Sequence, residues 1–114
     1  LLVDFLLTLR QSFPLLSFQR NSVYLRFCHC DYHKGSTLLR VAQEIGIAST
    51  SILAAGDNHN DLQMLDPTYA GYLVCPSNSV PEVRAKVALH APFGFISSKK
   101  FGAGTAEGIW KFLQ

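Results

Sequence analysis

Apolar residues at positions 2, 5, 6, 9 and 13 recur at near-helical spacing from Leu1 to Phe13, and Pro14 cannot continue the run. A short amphipathic helix is predicted there. Leu15 to Phe18 and Val23 to Cys30 are rich in strand-forming residues and flank Gln19-Arg20-Asn21-Ser22. They predict two antiparallel strands, with Val23, Leu25 and Phe27 on one face. From Ser36 the period changes: Leu38, Val41, Ala42 and Ile45 fall at i, i+3, i+4 and i+7. Ser36 can cap the start of this helix and Gly46 its end. Ser51 to Ala55 reads as a short buried strand, followed by a turn at Gly56 and a short helix through Leu62, Met64 and Leu65 that Pro67 ends.

Tyr72 to Val74 makes another brief strand, and Ser79-Val80-Pro81-Glu82 reads as a capping box with its proline in the first turn of a helix running to about Leu89. Phe93 to Ser97 reads as an edge strand. Gly102-Ala103-Gly104 then leads into a helix with Ala106, Ile109, Trp110 and Leu113 on one face. Strand and helix alternate through the last two-thirds of the chain, which predicts an α/β fold built on a parallel sheet. Residues 1–30 follow a different pattern, so a boundary is expected near Asp31 to His33. Leu1 opens the chain in the middle of a helical pattern, so a fragment of a longer protein is expected.

At 114 residues and 48% apolar content, the chain can bury one core. A net charge of +2, with Lys99-Lys100 the only adjacent basic pair, argues against a nucleic-acid partner, which requires clustered Lys and Arg. The N-terminal apolar run is broken by Asp4 and lacks a basic flank and a cleavage site, so it reads as neither signal peptide nor membrane span. Three cysteines make no disulfide framework, and a reducing, cytoplasmic location is expected. Cys28-His29-Cys30-Asp31-Tyr32-His33 contains zinc-ligand residue types but no second ligand pair. Strand alternation would turn His29 away from Cys28 and Cys30, so packing within the strand is expected instead. Cys75 has no neighbouring base, and Trp110, Phe93, Phe95 and Phe101 read as core.

The chemistry concentrates in Ile52-Leu53-Ala54-Ala55-Gly56-Asp57-Asn58-His59-Asn60-Asp61. An apolar strand ends there in a turn carrying two carboxylates. At i, i+4 spacing, and with a helix beginning at this turn, Asp57 and Asp61 are expected to project to one side beyond the carboxyl end of the strand, where open α/β sheets bind ligands. Hard oxygen donors, with the Asn58 and Asn60 amides beside them, suit Mg²⁺ completed by water and phosphate oxygens. Lys34, in Lys34-Gly35-Ser36 at a helix start, can hold a phosphoryl group. Taken singly, Asp57 reads as a helix cap and Lys34 as a solvated lysine; their ordered combination points to a site.

That combination resembles the C-terminal core of the haloacid-dehalogenase (HAD) superfamily, in its Cof-like and sucrose-phosphatase-like branches. The resemblance rests on Lys34-Gly35 and the helix after it, Gly56 to Asp61 with Met64-Leu65, and Val74 through Asn78, with a weaker match at Gly104, Gly108 and Ile109. It implies a HAD-like Rossmannoid core over 31–114, a parallel sheet with flanking helices, preceded over 1–30 by the remnant of an α/β cap. It implies a Mg²⁺-dependent phosphatase acting on a small phosphorylated substrate, a sugar phosphate. Lys34 would contact nucleophile and phosphoryl group; Asp57, Asn60 and Asp61 would hold or support the metal; Asn78 would lie near the phosphate. His59 stands where many members have a small residue, and its role is open.

One departure bears on activity: the family nucleophile is the first Asp of a DxDxT motif. Asp4-Phe5-Leu6-Leu7-Thr8 imitates that motif but has Leu6 in place of its second Asp. The expected nucleophile therefore lies outside this chain, which alone is expected to be inactive; the alternative is a catalytically incomplete binding or assembly module. In the family, the strand before the acidic turn pairs with the nucleophile strand. Here that edge is expected to be bare, or covered by a partner chain.

Overall fold

The computed structural model describes residues 1–114 and opens with helix α1 (Leu2–Ser12), followed by strands β1 (Leu16–Asn21) and β2 (Tyr24–His29). The two strands pair antiparallel from Leu16 opposite His29 to Asn21 opposite Tyr24, so the hairpin turns in two residues, Ser22 and Val23. Ser22 adopts φ 54°, the left-handed conformation that two-residue hairpin turns require. Sequence polarity begins the turn at Gln19 and puts Val23 on the apolar face; instead Gln19, Arg20 and Asn21 extend the ladder, and Val23 sits at the tip, 87% exposed.

Residues opposite one another in an antiparallel pair share a face. Ser17, Gln19, Arg26 and Cys28 therefore lie together, and Ser17 and Gln19 are buried. This polar face rests on the loop after the third strand. Gln19 Nε2 donates to Gln63 Oε1 at 3.0 Å, and the Ser22 amide donates to Asn58 Oδ1 at 3.4 Å.

The remainder alternates as α2 (Lys34–Ile45), β3 (Leu53–Ala55), β4 (Tyr72–Cys75), α3 (Pro81–Leu89), β5 (Gly94–Ile96) and α4 (Phe101–Leu113). The three strands form a parallel sheet in the order β3-β4-β5, which leaves β3 and β5 as edges. Central β4 is buried on both faces. Leu73 and Cys75 join Ala54, Leu65, Ala70, Val83 and Val87 in the core, with Leu38 of α2 packed against them. Each fully buried Leu or Val contributes roughly 1.5–3 kcal/mol.

Val74 points the other way, toward α4, and here the expected helix face is inverted. Gly104 and Gly108 are the buried residues of α4, while Trp110 and Leu113 face outward, 66% and 74% exposed. The reason is close approach: a Cβ on Gly108 would lie 2.1 Å from Val74 Cγ1. Two glycines one turn apart let the helix axis settle on the sheet, which no apolar side chain in those places would permit. Phe112 completes the contact, its ring centroid 5.0 Å from that of Tyr72.

Two caps also differ from expectation. His33, not Ser36, caps α2: its Nδ1 accepts from the Gly35 and Ser36 amides at 3.1 and 3.2 Å, and Ser36 Oγ accepts from the His33 amide at 3.0 Å. Gly46 closes the helix with φ 74°, as expected. At α3 the capping box is absent. Ser79 Oγ donates to the Pro76 carbonyl at 2.7 Å, and Glu82 faces His59 instead. No helix is long and apolar enough to cross a membrane.

Candidate functional site

β3 delivers the chain to Gly56, where a Cβ would fall 2.5 Å from the Cβ of Asp61. Glycine therefore lets the loop fold back on itself. A 3₁₀ turn over His59–Asp61 replaces the expected helix and returns Asp61 to the strand end. Asp61 Oδ2 accepts from the Asp57 and Asn58 amides at 3.0 and 3.2 Å, while Oδ1 accepts from Lys34 Nζ. Asp61 is only 5% exposed. Burial pushes its pKa up, but the hydrogen bonds from Lys34, Asp57 and Asn58, with the Lys34 charge, outweigh that and hold the carboxyl below the usual range.

Lys34 is in the first turn of α2, and its side chain is 45% exposed. Asp57 is different: its backbone carbonyl accepts from the Val80 amide at 3.0 Å, whereas its carboxylate is exposed and has no hydrogen-bond or ion-pair partner. Lys34, Asp57 and Asp61 line one cleft of about 480 Å³, closed on the far side by Pro76 and by Phe101, Gly102 and Thr105 at the start of α4. The cleft lies beyond the carboxyl end of the parallel sheet, the general ligand position of open α/β folds.

Three of the sequence-predicted residues thus converge, and two do not. Asn60 lines a separate pocket with Gln19, Asn21, Tyr24, Arg26 and Lys34, on the side facing the hairpin. Asn78 Oδ1 accepts the Phe101 amide at 2.8 Å and so fastens the start of α4. His59 Nε2 lies 3.4 Å from Glu82 Oε2 and ties the acidic loop to α3. Asp4 is exposed on α1, its carbonyl accepting from Thr8 Oγ1 at 3.0 Å, and is absent from the cleft. Nothing in the sequence marks Thr105, Phe101 or Gly102 as site residues, and Phe101, expected in the core, is exposed at the cleft wall. A glycine-rich helix start was legible there, but its placement over the cleft depends on the crossover from β5. A larger cavity of about 790 Å³ between α1 and the hairpin is lined by Leu9, Phe13, Leu15 and Phe27 and has no Asp, Glu, Lys or Arg, so it offers nothing to bind phosphate or a hard cation.

Residues 5–92 match the family model of haloacid dehalogenase-like hydrolases. The chain belongs to this family. A phosphoglycolate phosphatase of Methanothermobacter thermautotrophicus is 31% identical over 81 residues, covering 71% of this chain and 33% of that protein. This HAD-like chain therefore spans about a third of that relative's length. Among solved structures, the sucrose-phosphatase from Synechocystis, in complex with sucrose and phosphate, superposes with TM-score 0.81 at 18% identity, covering 97% of this chain and 46% of that one. The HAD subclass IIB sugar phosphatase BT4131 does so with TM-score 0.75 at 17% identity, over 92% and 38%. At these identities the structural likeness establishes the HAD-like α/β fold.

Proposed function

We propose that this chain supplies the cation- and phosphate-binding half of a Mg²⁺-dependent phosphomonoesterase of the Cof-like and sucrose-phosphatase-like type, acting on a sugar phosphate. The observation that carries the reading is the shared cleft of Lys34, Asp57 and Asp61. One ammonium and two carboxylates leave the cleft with a net single negative charge, which repels a phosphate dianion. A bound divalent cation reverses that sign.

The donor chemistry fits such an ion. Asp57 offers an unpartnered, exposed carboxylate at the cleft, the hard oxygen that Mg²⁺ takes alongside water and phosphate oxygens. Bound there, Mg²⁺ would neutralise phosphate charge and orient the ester for in-line attack. Asp61, with both oxygens committed, acts through its partners: it fixes the Lys34 ammonium and holds the amides of the loop that presents Asp57. Lys34 then presents its remaining N–H donors to a phosphoryl oxygen. Asn60 and Asn78 support the site from outside the cleft, Asn78 by holding the α4 wall.

The attacking carboxylate, which would form an aspartyl-phosphate, belongs in this reading to a segment outside these 114 residues, because Asp4 is absent from the cleft. Such a segment, or a partner chain, would also pair with the open edge of β3. Residues 1–30 are read as the end of a cap and 31–114 as core. Three free cysteines fit a reducing, cytoplasmic setting.

The test is phosphate release from a panel of sugar phosphates by the full-length protein. Activity should require Mg²⁺, and Lys34→Met should lower kcat by about 10²–10³-fold. Full activity in Lys34→Met, or activity indifferent to chelator, would sink the reading.

A further inference from the structure

We propose that His29, Cys30 and Asp31 form a second cation site, for a thiophilic divalent ion of the Zn²⁺ class, at the end of β2. Strand alternation alone would place His29 and Asp31 on one face and turn Cys30 to the other. β2, however, ends at His29, and the chain turns through Cys30 and Asp31 before α2 begins. The turn brings one ligand atom from each residue within 4.8 Å of the others.

Cys30 Sγ lies 3.7 Å from Asp31 Oδ1, and His29 Nδ1 lies 3.8 Å from Asp31 Oδ2. Ligand atoms bonded tetrahedrally at about 2.0–2.3 Å are spaced about 3.3–3.8 Å apart. The two contacts reach different oxygens of the Asp31 carboxylate, so that group must rotate to present one oxygen, and with the ligand atoms already within 4.8 Å of one another, rotations of the three side chains bring them to such a spacing. An imidazole, a thiolate and a carboxylate give three protein ligands and leave the fourth position to water.

The donor set separates this site from the acidic cleft. Nitrogen and sulfur favour a borderline ion such as Zn²⁺ over Mg²⁺, which takes oxygen. On ligation the Cys30 thiol gives its proton to solvent, so binding strengthens as pH rises. The Asp31 amide, now donating to His29 Nδ1 at 3.1 Å, is exposed and can turn to water when the ring binds metal. Cys28 points to the opposite face of β2 from His29, and Cys75 is buried in the core; neither contributes. The cation would staple the turn that leads directly into the His33 cap and Lys34.

The chain should be titrated with Co²⁺ under a non-thiol reductant. The expected result is a near-ultraviolet thiolate-to-cobalt absorption saturating at one ion per chain, displaced by Zn²⁺ but not by Mg²⁺. Cys30→Ser should abolish the band, and His29→Ala and Asp31→Asn should weaken binding by about tenfold or more. Cys28→Ser and Cys75→Ser should retain it, with circular dichroism showing every variant folded. Absence of the band in the parent chain, its persistence in Cys30→Ser, or its loss in folded Cys28→Ser would overturn the assignment.

Discussion

Asp61→Asn is the substitution in which folding and site chemistry separate most clearly. The carboxylate is 5% exposed and accepts from two backbone amides and one ammonium. Asparagine keeps the shape but has one acceptor oxygen and one NH₂. If the oxygen faces the Asp57 and Asn58 amides, the NH₂ meets Lys34; if it faces Lys34, the NH₂ meets two N–H donors. Either way a set of charge-assisted hydrogen bonds is lost. Such bonds contribute about 1.5–3 kcal/mol, and the half-exposed Lys34 share must be discounted for solvent screening. The expected cost is about 2 kcal/mol, or a fall in melting midpoint of roughly 8 °C. Because Asp61 has its pKa lowered by folding, its contribution is complete above the ordinary carboxylate range and is lost as pH falls through the lowered value. Denaturant titrations from neutral pH down to about pH 3 should therefore show the variant and parent converging in the acid limb. Equal stability of the two at neutral pH, or a gap that widens on acidification, would refute the reasoning.

Three further outcomes follow from the same geometry. Gly108→Ala gains about 1 kcal/mol of helix propensity but drives a methyl to 2.1 Å from the fully buried Val74, so denaturation should show a net loss of about 1–2 kcal/mol. His33→Ala removes the acceptor of two amides at the start of α2 and should cost about 1 kcal/mol, read as earlier melting of the chain. Asp57→Ala removes a carboxylate that has no partner, so stability should stay within about 0.5 kcal/mol of the parent even as the cation site is lost.

The βα alternation from Leu38 onward was readable because each element carries its own periodicity: apolar spacing in α2, short apolar runs in β3 and β4, and Gly46 in the left-handed position. What failed to show did so for identifiable reasons. His33 is outside the usual capping residues, and its role depends on an imidazole lone pair turned toward two amides. Residues after Gly56 have helical composition, but the return of Asp61 to the Asp57 and Asn58 amides tightens the chain into a 3₁₀ turn. Hydrophobicity ranks Trp110 and Ile109 above Gly104 and Gly108 for burial, yet distance to the sheet decides, and glycine wins. Similarly, alternation separates His29 from Cys30 only while the strand lasts.

For the candidate site, the placement of Lys34 and Asp57 at one cleft was legible because they stand at a helix start and a strand end, places whose position in an α/β fold is fixed by topology. The placement of Asn60 and Asn78 outside that cleft was not, since a one-residue change in loop path turns an amide from the cleft to its back. Lys34–Asp61 pairing joins residues far apart in sequence, and only the fold brings them together.

The central claim, a divalent-cation site at Asp57, is tested most directly by titrating the ¹⁵N-labelled chain with Mg²⁺ and following its backbone amides by NMR. The account predicts saturable shifts confined to Gly56, Asp57, Asn58 and the first turn of α4, and their loss in Asp57→Ala. Shifts that survive that substitution, or none at these amides in the parent chain, would contradict it.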